Sequence, residues 1–216
     1  MALKDVLPGK LGFGTAPLGN MFRDIPEAEA RATVEAAWAD GIRYFDTAPF
    51  YGAGLAEIRL GEALAGRPRD EYVISTKVGR LILDEVEDVS ARDLGEKGDV
   101  FKYGRPNRIV NDYSEDATLR SIADSLKRLG TDRIEAVWVH DVAQDFYGDE
   151  WLSVFEGARR GAFRVLDRLR DEGVIKAWGL GVNRVEPIEL LLALEGRRPD
   201  GFLLAGRYTL LDHERA

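Results

Sequence analysis

The sequence predicts an α/β fold in which helices connect parallel strands, and it favours a (β/α)8 TIM barrel that is truncated after strand 6. Short runs rich in β-branched and aromatic residues alternate with stretches of helical period. This alternation is typical of parallel strands joined by helical crossovers. An open doubly wound sheet would present G-x-G-x-x-G after its first strand, but Gly12, Gly14 and Gly19 have a different spacing. Polar residues at the ends of several strands favour the barrel.

Six strands are predicted from the short apolar runs. Each contains β-branched or aromatic residues and is bounded by glycine or polar residues, which is the composition of a buried strand. They cover residues 11–16, 42–47, 72–77, 134–140, 174–182 and 201–206.

Five helices are predicted between these strands. Pro26 suits the first turn of the first helix and Gly41 follows its end. Ser114 can cap the third helix, and Gly130 can end it. Pro187 suits the first turn of the last. The helices cover residues 27–40, 55–65, 115–129, 159–172 and 186–194.

The number of elements predicts an incomplete barrel. A closed barrel needs eight strands and typically ~250 residues, whereas this chain has 216 residues and six predicted strands. We therefore expect residues 1–216 to form a single barrel domain that represents the N-terminal three-quarters of a longer protein. The first and last strands would then be edges without a second neighbour.

Two connections are too long for simple turns. They cover about 79–113 and 141–157, and both follow the carboxyl end of a strand. Long connections in compact domains often carry function, so we expect both to lie over the site. The second contains Trp151, which we expect to contact a substrate. A solvated charged flap and an aromatic packing segment remain the alternatives.

Charge and composition limit the classes of partner. The net charge of −8 argues against nucleic acid and anionic membranes as partners. The absence of cysteine excludes disulfides and thiol catalysis. With two histidines and no H-x-x-x-H or E-x-x-H motif, no metal site is expected. The N-terminal residues do not resemble a signal peptide and no run reaches the ~18 apolar residues of a membrane helix, so we expect a cytoplasmic protein. The oligomeric state is not encoded in a readable form.

Four polar residues stand at or just after strand ends: Asp46, Tyr51, Lys77 and His140. An ammonium beside a tyrosine stabilises the phenolate, so Lys77 is predicted to lower the pKa of Tyr51 from its usual ~10. Asp46 would hold Lys77, and a neutral His140 would orient a substrate oxygen. Tyr51 could then give or accept a proton. Taken singly, the residues could be a cap, a packing aromatic, a surface lysine and a structural histidine.

The motifs that contain these residues resemble those of the aldo-keto reductases. GIRYFDTAPFYG, YVISTKVG, SLKRLGTDRIEAVWVHD and GVIKAWGLGVN carry the resemblance, which covers essentially the whole chain. It implies a (β/α)8 barrel that binds NAD or NADP without a Rossmann motif. It also implies that Asp46, Tyr51, Lys77 and His140 are the catalytic residues, with Tyr51 and His140 contacting the substrate and Asp46 also near the cofactor.

The resemblance also implies further cofactor contacts. Asn183 matches the asparagine that binds the nicotinamide carboxamide, while Val182 stands where the family usually has serine. Thr15 matches a residue near the cofactor, and Tyr208 matches an aromatic that stacks on the nicotinamide. The segment that binds the adenosine 2′-phosphate follows strand seven in the family, so the choice between NAD and NADP stays open.

The long insert after strand three is similar to a narrower group within the family. That group contains bacterial dehydrogenases of L-fucose, D-arabinose and related aldoses, and pyridoxal 4-dehydrogenase. The similarity implies oxidation of a cyclic hemiacetal hydroxyl to a lactone, or reduction of a carbonyl in reverse. Two alternatives stay open: a nicotinamide-binding accessory subunit without turnover, and an aldolase that forms a Schiff base on Lys77.

Overall fold

A parallel sheet forms the centre of the structure, a computed structural model that describes residues 3–91, 100–194, 198–206 and 209. Six strands form this sheet in the order β1-β2-β3-β6-β7-β8, and β4 pairs with β5 in a separate antiparallel hairpin. In chain order the strands are β1 Phe13–Gly14, β2 Tyr44–Asp46, β3 Val73–Val78, β4 Arg80–Val86, β5 Asn107–Asn111, β6 Ala136–His140, β7 Ala177–Val182 and β8 Gly201–Leu204.

The strand order distinguishes the two folds that the sequence left in competition. Neighbouring strands of the main sheet follow one another along the chain, and every pair is parallel. A doubly wound sheet would reverse its order at a switch point, whereas a barrel does not. The predicted barrel architecture is therefore confirmed, and the described strands form an open six-stranded part of it.

Four of the five predicted helices lie within one residue of their predicted spans, the fifth begins later, and three further helices were not predicted. The predicted helix 159–172 begins only at residue 162, because Gly161 adopts a non-helical conformation (φ −105°, ψ −91°) that separates two helices. In chain order the helices are α1 Leu3–Val6, α2 Glu27–Ala39, α3 Leu55–Leu64, α4 Glu115–Leu129, α5 Gln144–Tyr147, α6 Trp151–Arg160, α7 Ala162–Asp171 and α8 Glu186–Ala193. Within the described ranges, no helix has the length and apolarity that crossing a bilayer requires.

Helix α4 shows how local signals fix its ends. The hydroxyl oxygen of Ser114 accepts a hydrogen bond from the Ala117 amide at 3.3 Å, and Gly130 takes the left-handed conformation (φ 61°) that ends the helix. Its predicted span, 115–129, is therefore the observed one.

The two connections that were predicted as long loops contain regular structure. The first holds the hairpin β4–β5, in which Ile82 lies opposite Ile109. The second holds α5 and α6, and α6 buries Phe155 and Ala158 at helical spacing. The sequence analysis missed this hairpin and these helices, because the polar residues in both connections interrupt the short apolar patterns.

Two groups of apolar side chains lie on opposite faces of the main sheet. The larger fills the space between the sheet and the helices. The smaller, here called the inner cluster, lies on the concave side and consists of Val6, Val73, Ala136, Trp138 and Ala177. Helix α1 closes this side. Leu3 lies so near Gly201 that a Cβ atom on Gly201 would overlap the Leu3 side chain.

Candidate active site

Strand alternation turns three of the predicted residues toward the inside of the sheet. Lys77 stands four residues after Val73, and His140 four residues after Ala136. Because side chains alternate with a period of two, each shares the face of an inner-cluster residue. All three lie at carboxyl ends of parallel strands: Asp46 is the last residue of β2, His140 the last of β6, and Lys77 precedes the last of β3. These ends meet at one rim.

A buried ion pair lies at the centre of this rim. The ammonium of Lys77 donates to Asp46 Oδ2 at 2.6 Å and to the Thr47 carbonyl at 2.9 Å, and Ser75 donates to Asp46 Oδ1 at 2.6 Å. Burial alone lowers the pKa of Lys77, but the Asp46 carboxylate and the Tyr51 oxygen raise it more, so its net pKa lies above the usual range. Lys77 is therefore an ammonium held by Asp46, as the sequence predicts.

The phenol of Tyr51 lies beside this ammonium. Lys77 Nζ is 4.7 Å from the centre of the Tyr51 ring. Burial raises the pKa of Tyr51, and the charge of Lys77 opposes that rise without cancelling it. The prediction of a lowered pKa is thus right about the effect of Lys77 and wrong about the net direction. The reason is burial, because the ring also packs 5.7 Å from that of Phe101, a residue far away in the sequence.

The imidazole of His140 completes the group. Its ring centre is 6.0 Å from that of Tyr51, and the planes are nearly perpendicular at 85°. Burial, with the charges of Arg80 and Lys77, lowers the pKa of His140 well below its ordinary value of 6.5. This direction agrees with the neutral imidazole that the sequence analysis expects, and the structure brings Asp46, Tyr51, Lys77 and His140 together.

Two charged residues of the site escaped the sequence prediction. Arg80 Nη1 donates to Asp141 Oδ2 at 2.7 Å and lies 3.2 Å from His140 Nδ1. Burial raises the pKa of Asp141 to about 6, against the opposing charge of Arg80. The guanidinium lies 4.0 Å from the ring centre of Phe50 and 4.8 Å from that of Phe146. The position of Asp141 directly after His140 was the available signal, whereas Arg80 depends on the hairpin.

The predicted cofactor residues lie at the same rim where the structure describes them. The Thr15 amide donates to the Asp46 carbonyl at 2.9 Å. The Thr15 hydroxyl is buried without a hydrogen-bond partner among the described residues. Asn183 directly follows β7 and donates to Asp145 Oδ2 at 3.0 Å. Tyr208 lies outside the described residues.

Trp151 is placed at the first position of α6. Its ring centre is 6.5 Å from that of Phe155, and it packs against the core between sheet and helices. Other residues of the second connection contact the site: Phe146 contacts Arg80, and Asp145 accepts from Asn183. The contact of Trp151 with a substrate stays a prediction. In the described part of the chain, no group of three His, Cys, Asp or Glu residues is arranged to hold a metal ion.

Comparison with known proteins gives the same indication as the geometry. The sequence model of the Aldo/keto reductase family matches residues 10–216 of this chain. A pyridoxal 4-dehydrogenase from Microbacterium luteolum is 43% identical over 209 residues, which are 94% of this chain and 59% of that protein. A D-threo-aldose 1-dehydrogenase from a Pseudomonas species is 41% identical over 207 residues, with coverage of 95% and 59%.

A solved structure agrees with the fold. The aldo-keto reductase AKR11C1 from Bacillus halodurans, in its holo form, superposes with a TM-score of 0.54 at 30% identity, covering 84% of this chain and 49% of that chain. The chain therefore spans 59% of the length of the two curated relatives and about half of this structural one.

Proposed function

The chain belongs to the aldo/keto reductase family, and from this premise we propose that it acts as an NAD(P)-dependent oxidoreductase on the hemiacetal hydroxyl of an aldose or of pyridoxal. The product would be a lactone, and the reverse reaction would reduce a carbonyl. The observation that carries the proposal is the group formed by the buried Asp46, Lys77 and His140 with the partly buried Tyr51. The two dehydrogenases of 43% and 41% identity support the substrate class.

Each of the four residues has a separate part in this reaction. The oxygen of Tyr51 takes the proton of the substrate hydroxyl as a general base. Lys77 stabilises the resulting charge on the phenol oxygen, and Asp46 keeps Lys77 in place. A neutral His140 donates a hydrogen bond to the substrate oxygen. The bound nicotinamide would supply the acceptor for the hydride that leaves the same carbon.

The raised pKa of Tyr51 affects the two directions of the reaction differently. At neutral pH the phenol keeps its proton, which is the form that donates to a carbonyl oxygen during reduction. Oxidation uses the ionised form, whose fraction grows with pH. Lys77 limits the cost of this ionisation, because its charge lowers the pKa that burial raises.

The donor set at the rim fits a nicotinamide. The amide of Asn183 has both a donor and an acceptor, which is the complement of a carboxamide. The Thr15 hydroxyl beside Asp46 is buried and has no hydrogen-bond partner among the described residues, so it is available to a bound cofactor. We assign Asn183, Asp46, Thr15 and Tyr208 to the cofactor, and either NAD or NADP satisfies this assignment.

The proposal is tested by mixing the full chain with NAD+ or NADP+ and with L-fucose, D-arabinose or pyridoxal. We expect the absorbance of reduced nicotinamide to rise with at least one pair. A chain that is folded by circular dichroism and reduces neither cofactor with any of these substrates would contradict the proposal. If that chain still binds the cofactor, the accessory-subunit function replaces it.

The geometry argues against the aldolase alternative. A lysine that forms a Schiff base attacks as the neutral amine, which usually requires a lowered pKa. Lys77 instead has a raised pKa and lies 2.6 Å from the Asp46 carboxylate. Trapping of a substrate on Lys77 by borohydride would be needed to restore that alternative.

A further inference from the structure

A second buried ion pair, between Arg80 and Asp141, lies beside His140. Arg80 belongs to the hairpin and Asp141 follows β6, and both side chains are only 6% exposed. Withdrawing two charges from water is costly, and an apolar pair of similar size often stabilises a fold equally well. The burial of this pair is therefore weak evidence that it stabilises the fold. Its contact with His140 indicates a role in the chemistry of the site instead.

The contact defines which nitrogen of His140 carries the proton. Arg80 Nη1 lies 3.2 Å from His140 Nδ1. A guanidinium has donors and no acceptor, so Nδ1 must be the acceptor in this hydrogen bond. The imidazole is neutral, because its pKa is far below 6.5, and has a single N–H group. That proton is consequently on Nε2.

Neighbouring residues hold the Arg80 guanidinium in its position beside His140 Nδ1. The rings of Phe50 and Phe146 lie 4.0 and 4.8 Å from the Arg80 Cζ atom, distances typical of cation–π contacts. The Asp141 amide donates to the Gly181 carbonyl of β7 at 2.9 Å, and Asp141 has φ 53°, a conformation that non-glycine residues seldom adopt. Such backbone strain is often found at functional sites.

We propose that Arg80 and Asp141 are positioning residues that hold His140 as the neutral tautomer with its proton on Nε2. This inference rests on the proposed function for its purpose, which is to present an N–H donor to the substrate oxygen. Arg80 sets the tautomer through Nδ1. Asp141 holds Arg80, and its Oδ2 atom also lies 3.3 Å from His140 Nε2, where a carboxylate favours a protonated nitrogen. Neither residue needs to touch the substrate.

Nitrogen NMR of the imidazole tests this assignment without turnover. The chain has two histidines, so the signals of His140 are identified by their loss in His140→Gln. In the unmodified full chain we expect the Nε2–H pattern from neutral pH down to below the ordinary imidazole pKa of ~6.5. An Nδ1–H pattern, or an imidazolium at neutral pH, would overturn the proposal whatever the variants do.

Variants of Arg80 then test the cause. Arg80→Met removes the donor and the charge, so we expect mixed tautomers and a His140 pKa that moves toward ~6.5. Arg80→Lys keeps a charged donor and should restore most of the Nε2–H form. Arg108→Met removes an exposed arginine of the same hairpin and should leave the His140 signals unchanged. An Arg80→Met protein that folds and keeps both the tautomer and the pKa would refute the role of Arg80.

Kinetics separate this inference from the proposed function. The titratable groups that face His140 are Arg80, Asp141, Lys77 and Tyr51. In an active chain, Arg80→Met should lower kcat by up to about 100-fold, which is the loss expected for one misplaced hydrogen-bond donor. It should also change the acid side of the plot of kcat against pH. An inactive wild type with the Nε2–H tautomer would contradict only the proposed function. An active wild type with the Nδ1–H tautomer would contradict only the inference.

Discussion

The ammonium of Lys77 and the carboxylate of Asp46 lie 2.6 Å apart across two neighbouring strands, and their side chains are 4% and 12% exposed. Neither charge is well solvated, so each depends on the other for its compensation. The pair fixes a positive charge 4.7 Å from the centre of the Tyr51 ring. The proposed chemistry and local stability therefore depend on the same interaction.

Replacing one member of this pair should destabilise the protein. Lys77→Met leaves the Asp46 carboxylate buried without its cation, so we expect the free energy of unfolding to fall by about 3–5 kcal/mol. Denaturant unfolding measures the change. The double variant Asp46→Asn/Lys77→Met should lose less than the sum of the two single losses, whereas additive losses would show that the two charges do not depend on each other.

Removing the phenol oxygen of Tyr51 should greatly reduce turnover and spare cofactor binding. We expect Tyr51→Phe to lower kcat by about 10²- to 10⁴-fold, the usual contribution of a general acid or base. Nicotinamide binding, followed by fluorescence, should change little because the ring remains. Tyr103, whose side chain is exposed, provides the matched control Tyr103→Phe, which should keep full activity. Unchanged turnover in Tyr51→Phe would remove Tyr51 from the mechanism.

The raised pKa of Asp141 predicts a pH dependence of stability with a definite sign. Its pKa is about 6 in the folded chain against an ordinary 3.8, so the folded state binds more protons between these values. The contribution of Asp141 to the free energy of unfolding should therefore decrease, by up to about 3 kcal/mol, as the pH rises from about 4 to about 7.5.

A comparison with Asp141→Asn isolates this effect. The stability of the wild type relative to the variant should fall over that pH range. The charged groups that face Asp141 are Arg80, Lys77 and Asp145, and they are present in both proteins. His140 works in the opposite direction, since it is neutral when folded and protonated in the acid-unfolded chain, but it too is common to both. A constant difference would show that Asp141 is not perturbed.

A buried ion pair and an exposed one should respond very differently to the same substitution. Glu57 is fully buried, and it pairs with Arg128 at 2.6 Å and accepts from Thr76 at 2.7 Å. Arg128→Met should therefore lower the free energy of unfolding by about 3 kcal/mol. Arg108 pairs with Glu85 at the surface, so Arg108→Met should cost at most about 1 kcal/mol. Equal losses in denaturant unfolding would contradict this reading of burial.

Two helical glycines should give opposite results when replaced by alanine. A Cβ atom at Gly61 in α3 would overlap the backbone of Leu129 in α4, so Gly61→Ala should destabilise the protein by about 1–3 kcal/mol. Gly157 in α6 has open space around it, so Gly157→Ala should stabilise by about 0.5–1 kcal/mol. Thermal unfolding of both variants measures the difference, and a loss of stability in Gly157→Ala would contradict the packing described for α6.

The sequence predicts those parts of the structure that depend on local signals. The span of α4 follows from its apolar period, from Ser114 and from Gly130, all of which act within a few residues. The convergence of Asp46, Lys77 and His140 follows from the fact that parallel strands end at one rim.

Interactions between distant segments limit the prediction. The hairpin β4–β5 depends on cross-strand pairs such as Ile82 with Ile109, and the position of Arg80 depends on that hairpin. The net pKa of Tyr51 depends on its burial against Phe101, which no local pattern reveals.

The packing of Leu3 against Gly201 joins the two extremes of the described chain. Contacts between residues so far apart in sequence form late, because a long loop must close before they give any stabilisation. The contact of Leu3 with Gly201 cannot form until β8 has been synthesised, and until then that face of Leu3 stays available to other apolar surfaces.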